Sequence, residues 1–386
     1  MSLSTTTPTR SEATPADGSA PLRIAMVAPP WFELPPRGYG GTEAVVASLV
    51  DGLVDRGHRV TLVASGAHRT KAQRYHRVYP VTPTERLGDP LPEVINAAQT
   101  ARVLAGAEFD IVHDHTLAGP LLARSRKQPT VVTMHGPVDG DNGDFYERLG
   151  SSVDVVAISD AQRRINPRLN WVGTVHNAID VPSFPYRADK DDYVLWLGRF
   201  SGQKAPDEAI RAARAAGRRI VLAGKLNEAP EREYFDARVA PLLGPDAEYV
   251  GEADAALKRE LLAGAQALVF PIQWDEPFGM VMIEAMACGT PVVATRRGSV
   301  PEVVEDEVTG IVVDDLDEVP AAIDRARLLD PAAARRRAEE LFDIPVMAAR
   351  YERVYRMLVE GTASIRDLTR RSEAAVTRHS GASSPR

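Results

Sequence analysis

This chain has almost no cysteine. One residue, Cys288, stands among 386, so no intrachain disulfide framework can staple the fold. With no partner motif beside it, Cys288 reads as a small helix-packing residue rather than a nucleophile. Long apolar runs are missing as well: no segment approaches the ~20 residues needed to span a bilayer. The N-terminal MSLSTTTPTRSEATPADGSA has no apolar signal core, and its Ser, Thr and Pro content makes residues 1–20 a disordered lead-in; residues 362–386 read as a similar C-terminal tail. Basic excess is also lacking. A formal net charge of −7 argues against nucleic acid as a partner. These absences leave a cytoplasmic globular protein as the expectation.

Hydrophobic residues make up 44% of the chain, a globular proportion, and the length exceeds what one core supports, so two domains are expected. Short β-rich runs alternate with helical segments, the pattern of parallel α/β architecture. Strands are expected in LRIAMVA, RVTLVAS, DIVHDH, TVVTMH and VDVVAIS of the first half, and in YVLWLG, RRIVLAG, AEYVG, QALVFP and PVVAT of the second. Two doubly wound, Rossmann-like domains follow, residues 21–182 and 183–345. The boundary lies near Pro182, in a Pro-containing and then charged stretch. A further helix, about Met347 to Leu358, falls within residues 346–361. No short-period repeat or heptad array is present.

The chemistry concentrates in Asp275–Gly310, DEPFGMVMIEAMACGTPVVATRRGSVPEVVEDEVTG. Pro277 suits a first helical turn and Gly289 with Pro291 a stop, which places a helix at about Phe278 to Cys288. Its free first-turn N–H groups could hold an anion or sugar hydroxyls. Glu276 precedes that end and Glu284 lies within the helix. By spacing alone the two are either a ligand-gripping pair or a charged cap and a solvated residue.

Other segments are similarly two-sided. Gly38, Gly40 and Gly41 precede Thr42, a good N-cap, and a helix whose Val45, Val46, Leu49, Val50, Leu53 and Val54 recur at helical spacing. Such a turn cradles phosphate in many folds, but neither G-x-G-x-x-G nor the Walker lysine pattern is present, which disfavours a nucleotide oxidoreductase. Arg199 and Lys204, in GRFSGQKA, are either a diphosphate-binding pair or solvated loop cations. His135 ends a strand at the rim where α/β sheets put ligands. His113 and His115 have a metal-compatible spacing without a third ligand, so strand-end packing is expected of them. Asp139, Asp141 and Asp144 lack the Gly and Glu of a calcium loop and read as a mobile, metal-free loop.

Taken together, these segments resemble the retaining glycosyltransferases of family four, the glycogen-synthase-like group 1 enzymes of GT-B fold. The resemblance covers roughly Leu22 to Gly361. It implies that Glu276 and the backbone of Phe278, Gly279 and Met280 hold the donor sugar and Glu284 the ribose. It further implies that Arg199 and Lys204 bind the diphosphate, that the Gly40–Gly41 turn lies against it, and that His135 stands near sugar and acceptor. This chain departs from the family at Ala205, where Gly usually follows the lysine, and at Ser299, where Gly-Gly is common. The implied activity is transfer of a sugar from a nucleoside diphosphate, uridine sooner than guanosine, to an unassigned small-molecule, glycan or lipid acceptor, with no metal and no cofactor. The final helix would cross back to the first domain. A sugar-nucleotide 2-epimerase and a non-catalytic sugar-nucleotide-binding protein are the alternatives; a phosphorylase would need a cofactor lysine that the sequence does not place. Peripheral membrane contact gains no support from the helix after Thr42, whose Glu43, Asp51 and Asp55 oppose a basic lipid-binding face. Nothing assigns an oligomeric state.

Overall fold

The computed structural model describes residues 19–380 apart from Tyr39, with side chains as far as Thr362. The expected lead-in therefore lies outside the described residues up to residue 18, and so do residues 381–386 of the expected tail. The first domain runs β1 (Arg23–Val27), α1 (Gly41–Asp55), β2 (Arg59–Ala64), β3 (Arg74–Arg77), α2 (Pro90–Ala105), β4 (Ile111–Asp114), β5 (Thr130–Met134), α3 (Gly140–Leu149), β6 (Asp154–Ala157), α4 (Asp160–Ile165) and β7 (Trp171–Thr174). The second runs β8 (Val194–Leu197), α5 (Pro206–Ala215), β9 (Ile220–Ala223), α6 (Ala229–Tyr234), β10 (Ala247–Tyr249), α7 (Ala255–Gly264), β11 (Leu268–Phe270), α8 (Met280–Ala287), β12 (Val292–Thr295), α9 (Val300–Val303), β13 (Gly310–Val313), α10 (Val319–Ala326) and α11 (Pro331–Leu341). The last helix, α12, spans Ile344–Ser380.

Both sheets are parallel. The seven-stranded sheet has the order β3-β2-β1-β4-β5-β6-β7 and the six-stranded sheet β10-β9-β8-β11-β12-β13. In each the order reverses beside the first strand, between β1 and β4 and between β8 and β11. Crevices at such reversals, beyond the carboxyl ends of the strands, are where α/β sheets bind ligands. The architecture is GT-B: two Rossmann-like domains facing across a cleft.

Why the helices sit where they do follows from their apolar stripes. Val45, Val46, Leu49, Val50 and Leu53 of α1 are buried in one core with Ile24, Met26 and Leu62 of the sheet. Met347, Tyr351 and Tyr355 of α12 join that same core, so the last helix returns to the first domain and packs on α1. Met280, at the start of α8, touches both this core and the core of the second domain.

Several boundaries differ from the sequence reading. Thr42 is not the cap of α1; Gly40 is, with φ +140, and a Cβ there would lie 2.9 Å from Pro36 Cβ. A glycine tolerates that backbone, so the helix starts earlier than expected and without a side-chain cap. The helix expected at Phe278–Cys288 begins only at Met280, because Gly279 adopts a left-handed conformation before it. Asp139, Asp141 and Asp144 form no mobile loop: Asp139 caps α3, and Asp141 and Asp144 lie in its first turns, all exposed. The helix expected at Met347–Leu358 starts at Ile344 and continues into the stretch read as tail. β3, β7 and β13 escaped the pattern as short runs, each of them at a sheet edge. No helix of the described residues is long and apolar enough to cross a membrane.

Candidate active site

On the second domain the site grows from the carboxyl ends of β8, β11 and β12. The loop after β8 carries Arg199 and Lys204, and Trp196 Nε1 donates to the Lys204 carbonyl at 3.0 Å. Ala205 then takes φ +47 and ψ 54, a left-handed conformation, while 2% exposed. That geometry explains physically why glycine suits this position.

The loop after β11 brings Glu276 to Lys204. The Lys204 ammonium donates to Glu276 Oε2, and Trp274 Nε1 donates to the same oxygen at 3.0 Å. Lys204 Nζ also lies 5.2 Å and 5.6 Å from the ring centres of Phe270 and Trp274, a cation–π arrangement. The turn after β12 clamps the Glu276 loop. Ser299 N donates to the Glu276 carbonyl at 2.9 Å, Ser299 Oγ to the Phe278 carbonyl at 2.8 Å, and Gly298 N to Asp275 Oδ1 at 3.1 Å. A Cβ on Gly298 would fall 2.3 Å from the Glu276 carbonyl oxygen, so no other residue fits. Ser299 thus positions the loop rather than loosening it.

Glu284, in α8, is held in the same manner: Lys258 Nζ donates to its Oε1 at 2.5 Å. Both glutamates are 8% exposed. Each spends one oxygen on a lysine, and the other, Glu276 Oε1 and Glu284 Oε2, has no hydrogen-bond partner among the described residues. Arg199, half-buried, makes no hydrogen bond or ion pair to any described residue. Phe278 places its ring in the core at 2% exposure, so only its main chain can serve a ligand. Met280 stands at the seam of the two cores.

On the first domain β4 and β5 deliver three histidines. His135 Nε2 lies 2.9 Å from His115 Nδ1, and His115 Nε2 lies 3.2 Å from Met26 Sδ. His113 behaves as strand packing: its ring bonds Tyr355 Oη at 2.6 Å and Thr133 Oγ1 at 2.8 Å, tying the sheet to α12. Burial lowers the His135 imidazole to about 4 and holds His113 and His115 well below the usual histidine range. All three are neutral at pH 7, so the His115–His135 contact is a neutral imidazole donating to another. Among the described residues no cluster of His, Cys, Asp and Glu could hold a metal ion.

His135 opens onto a cavity of about 320 Å³ that Trp31, Gly40, Gly41, Glu43 and Glu93 also line. Glu93 accepts Trp31 Nε1 at 3.1 Å and Leu117 N at 3.1 Å. Burial and the neighbouring Glu93 raise the Glu43 carboxyl to about 7, against the opposing pull of its own main-chain N–H. Across the cleft Glu302 of α9 joins the domains. Its carboxylate accepts Asp160 N at 2.7 Å and Ala161 N at 2.6 Å, at the start of α4, and stands 3.2 Å from His176 Nε2.

The fold therefore gathers Arg199, Lys204, Glu276, Phe278, Gly279, Met280 and Glu284 on the second domain, and Gly40, Gly41 and His135 on the first. Sequence reasoning missed Lys258, Trp274, Glu43 and Glu93. Glu43 could have been found, since it follows the Gly40–Gly41–Thr42 turn directly; Lys258 had no local signal, standing 26 positions from Glu284.

Two family profiles match the two halves in tandem. Glycosyltransferase Family 4 covers residues 39–181 and Glycosyl transferases group 1 covers residues 183–340. The chain belongs to the group 1 glycosyltransferases. This glycosyltransferase is 27% identical over 375 residues to a phosphatidyl-myo-inositol mannosyltransferase of Mycolicibacterium smegmatis, a match spanning 86% of this chain and 93% of the relative. It is 29% identical over 373 residues to an alpha-maltose-1-phosphate synthase of Mycobacterium tuberculosis, with 82% and 92% covered. Its structure resembles that of a glycosyltransferase involved in avilamycin A biosynthesis, at 28% identity and a TM-score of 0.67, over 88% of this chain and 99% of the other.

Proposed function

We propose that this glycosyltransferase takes its sugar from a nucleoside diphosphate, a uridine nucleotide first, and transfers it with retention of anomeric configuration. The observation that carries the reading is the division of labour inside Glu276 and Glu284. A lysine fixes one oxygen of each carboxylate, and the other oxygen is left for hydroxyls of the sugar at Glu276 and of the ribose at Glu284. A diphosphate between them would meet Arg199, which has no protein partner among the described residues, and the donors that Lys204 retains, since an ammonium has three.

Departure of the diphosphate builds negative charge on its oxygens. Arg199 answers it with a planar fork and Lys204 with a point charge, aided by the first N–H groups of α8 and by those of Gly41 and Thr42, ahead of the Glu43 N–H that its own carboxyl takes. His135, neutral, serves as a hydrogen-bonding wall for sugar or acceptor rather than as a cation. The acceptor enters from the first domain, and the leaving phosphate takes its proton on the face it vacates. Closure across the Glu302 contact keeps water, the competing acceptor, out of the cleft. No metal takes part, and a chelator is expected to leave turnover unchanged.

The test is a thermal-shift panel of uridine, guanosine and adenosine diphosphates and their sugars, because a ligand of the native state raises stability by RT ln(1 + [L]/Kd). One base series should stabilise the protein, with its sugar conjugates acting at least as strongly. No shift with any of them would refute the donor assignment.

A further inference from the structure

The cavity beside His135 is acidic, and it is acidic without compensation. No lysine or arginine is among the described residues that line it, and its histidines are neutral at pH 7. Two carboxyls meet there. Glu93 is anchored by an indole and main-chain N–H groups. Glu43 is different: it is 3% exposed, lines the cavity, and among the described residues accepts a hydrogen bond from its own main-chain N–H alone. A buried carboxyl left with unused acceptor capacity is costly unless something supplies donors. The start of α1, a positively polarised feature of this wall, is already partly answered by Glu43 in its first turn. The opposite wall of the cleft has the reverse character, with Arg199 and Lys204 suited to phosphate.

From this contrast we infer that the acceptor is a polyol or amino-polyol that enters the cavity by an unphosphorylated end and donates a hydroxyl or ammonium hydrogen to Glu43. An ammonium gains the most, since it meets Glu43 as a charge-assisted pair with Glu93 close behind. A phosphate at the same place would set negative charge against two buried carboxyls, a like-charge juxtaposition that selects against it. Trp31, fixed through its indole N–H by Glu93, offers a flat apolar surface to the ring of such a polyol. The inference rests on the donor reading above, because it assigns this cavity to the second substrate.

The experiment uses the full chain loaded with the nucleoside diphosphate that stabilises it. Glucose, glucosamine and inorganic phosphate serve as probes, with binding read by ligand-observed NMR. Glucosamine and glucose should each bind at least tenfold tighter than inorganic phosphate. Glu43→Gln should weaken glucosamine tenfold or more while changing nucleoside diphosphate affinity less than twofold. A preference for inorganic phosphate, no preference among the three, no binding of any, or an unchanged glucosamine affinity in Glu43→Gln would overturn the inference. Absence of nucleoside diphosphate binding in the loading step would instead show that the donor reading is at fault, and the acceptor inference would fall with it.

Discussion

Lys204 grips Glu276 by one oxygen. The ammonium and the Trp274 indole share Oε2, and Oε1 is left without a partner among the described residues. The pair sits mostly out of water, with side-chain exposures of 15% for Lys204 and 10% for Glu276. Removing either member therefore does two things at once. It strands a charge in a poorly solvated place, and it takes a group from the ligand.

Lys204→Ala is expected to cut turnover ~10²-fold or more through the lost partner of the developing diphosphate charge. It should also cost on the order of 1–3 kcal/mol of stability, because Glu276 loses its cation. Glu276→Gln should cost similarly in stability, and the double variant Lys204→Ala with Glu276→Gln should cost less than the sum, as coupled neighbours do. Strict additivity in urea denaturation would mean that the contact contributes little in solution.

Ala205 offers a test of the local backbone. It holds φ +47 where glycine carries no Cβ penalty. Ala205→Gly is expected to raise stability by about 1 kcal/mol, and Ala205→Val, branched and 2% exposed at the start, should lower it by several. Chemical denaturation reads both signs. A stabilising valine would show that the loop between Lys204 and α5 is not left-handed in solution.

The Glu43 carboxyl gives a pH signature. In the folded protein it titrates at about 7, above the ordinary glutamate value of 4.5. The native state therefore keeps a proton that the unfolded chain releases, and this contribution is present below pH 4.5 and lost as pH rises to 7. Compared with the wild type, Glu43→Gln should be equally stable at pH 4.5 and more stable by roughly 3 kcal/mol at pH 8, since each tenfold change in proton affinity is about 1.4 kcal/mol. Taking the difference between the two proteins cancels the opposing contribution of His113, His115 and His135. A variant that loses stability on going to pH 8 would place Glu43 in a hydrated or cation-paired setting.

Much of the fold is legible in the chain because its two periodicities are strong. The runs around Ile24, Leu62 and Val131 are apolar almost without interruption, as strands covered on both faces must be, and each forms an interior strand of the sheet. Two edge strands read poorly: RYHR and WVGT have no apolar run to show, since one side of each lacks a neighbour, whereas AEYVG at another edge was read. Within the site, residues near glycines were readable, because Gly40, Gly279 and Gly298 mark backbone that a side chain would forbid. Lys258 and Glu93 were not, because their meaning lies in contacts with residues far along the chain, Glu284 and Trp31. The aspartates of α3 misled for the opposite reason. A local cluster of charge suggested a loop, whereas Gly143 and Tyr146 supply the buried face that makes the segment a helix.

The central claim is that Glu284 holds the ribose and Glu276 the sugar of one nucleotide-sugar donor. Calorimetric titration of nucleoside diphosphate and of its sugar conjugate into wild type, Glu276→Gln and Glu284→Gln tests it most directly. Glu284→Gln should weaken both ligands by on the order of 1.5–3 kcal/mol, the range of a lost charge-assisted hydrogen bond, and Glu276→Gln should weaken the conjugate alone. Equal loss of nucleoside diphosphate affinity in both variants, or loss in neither, would contradict it.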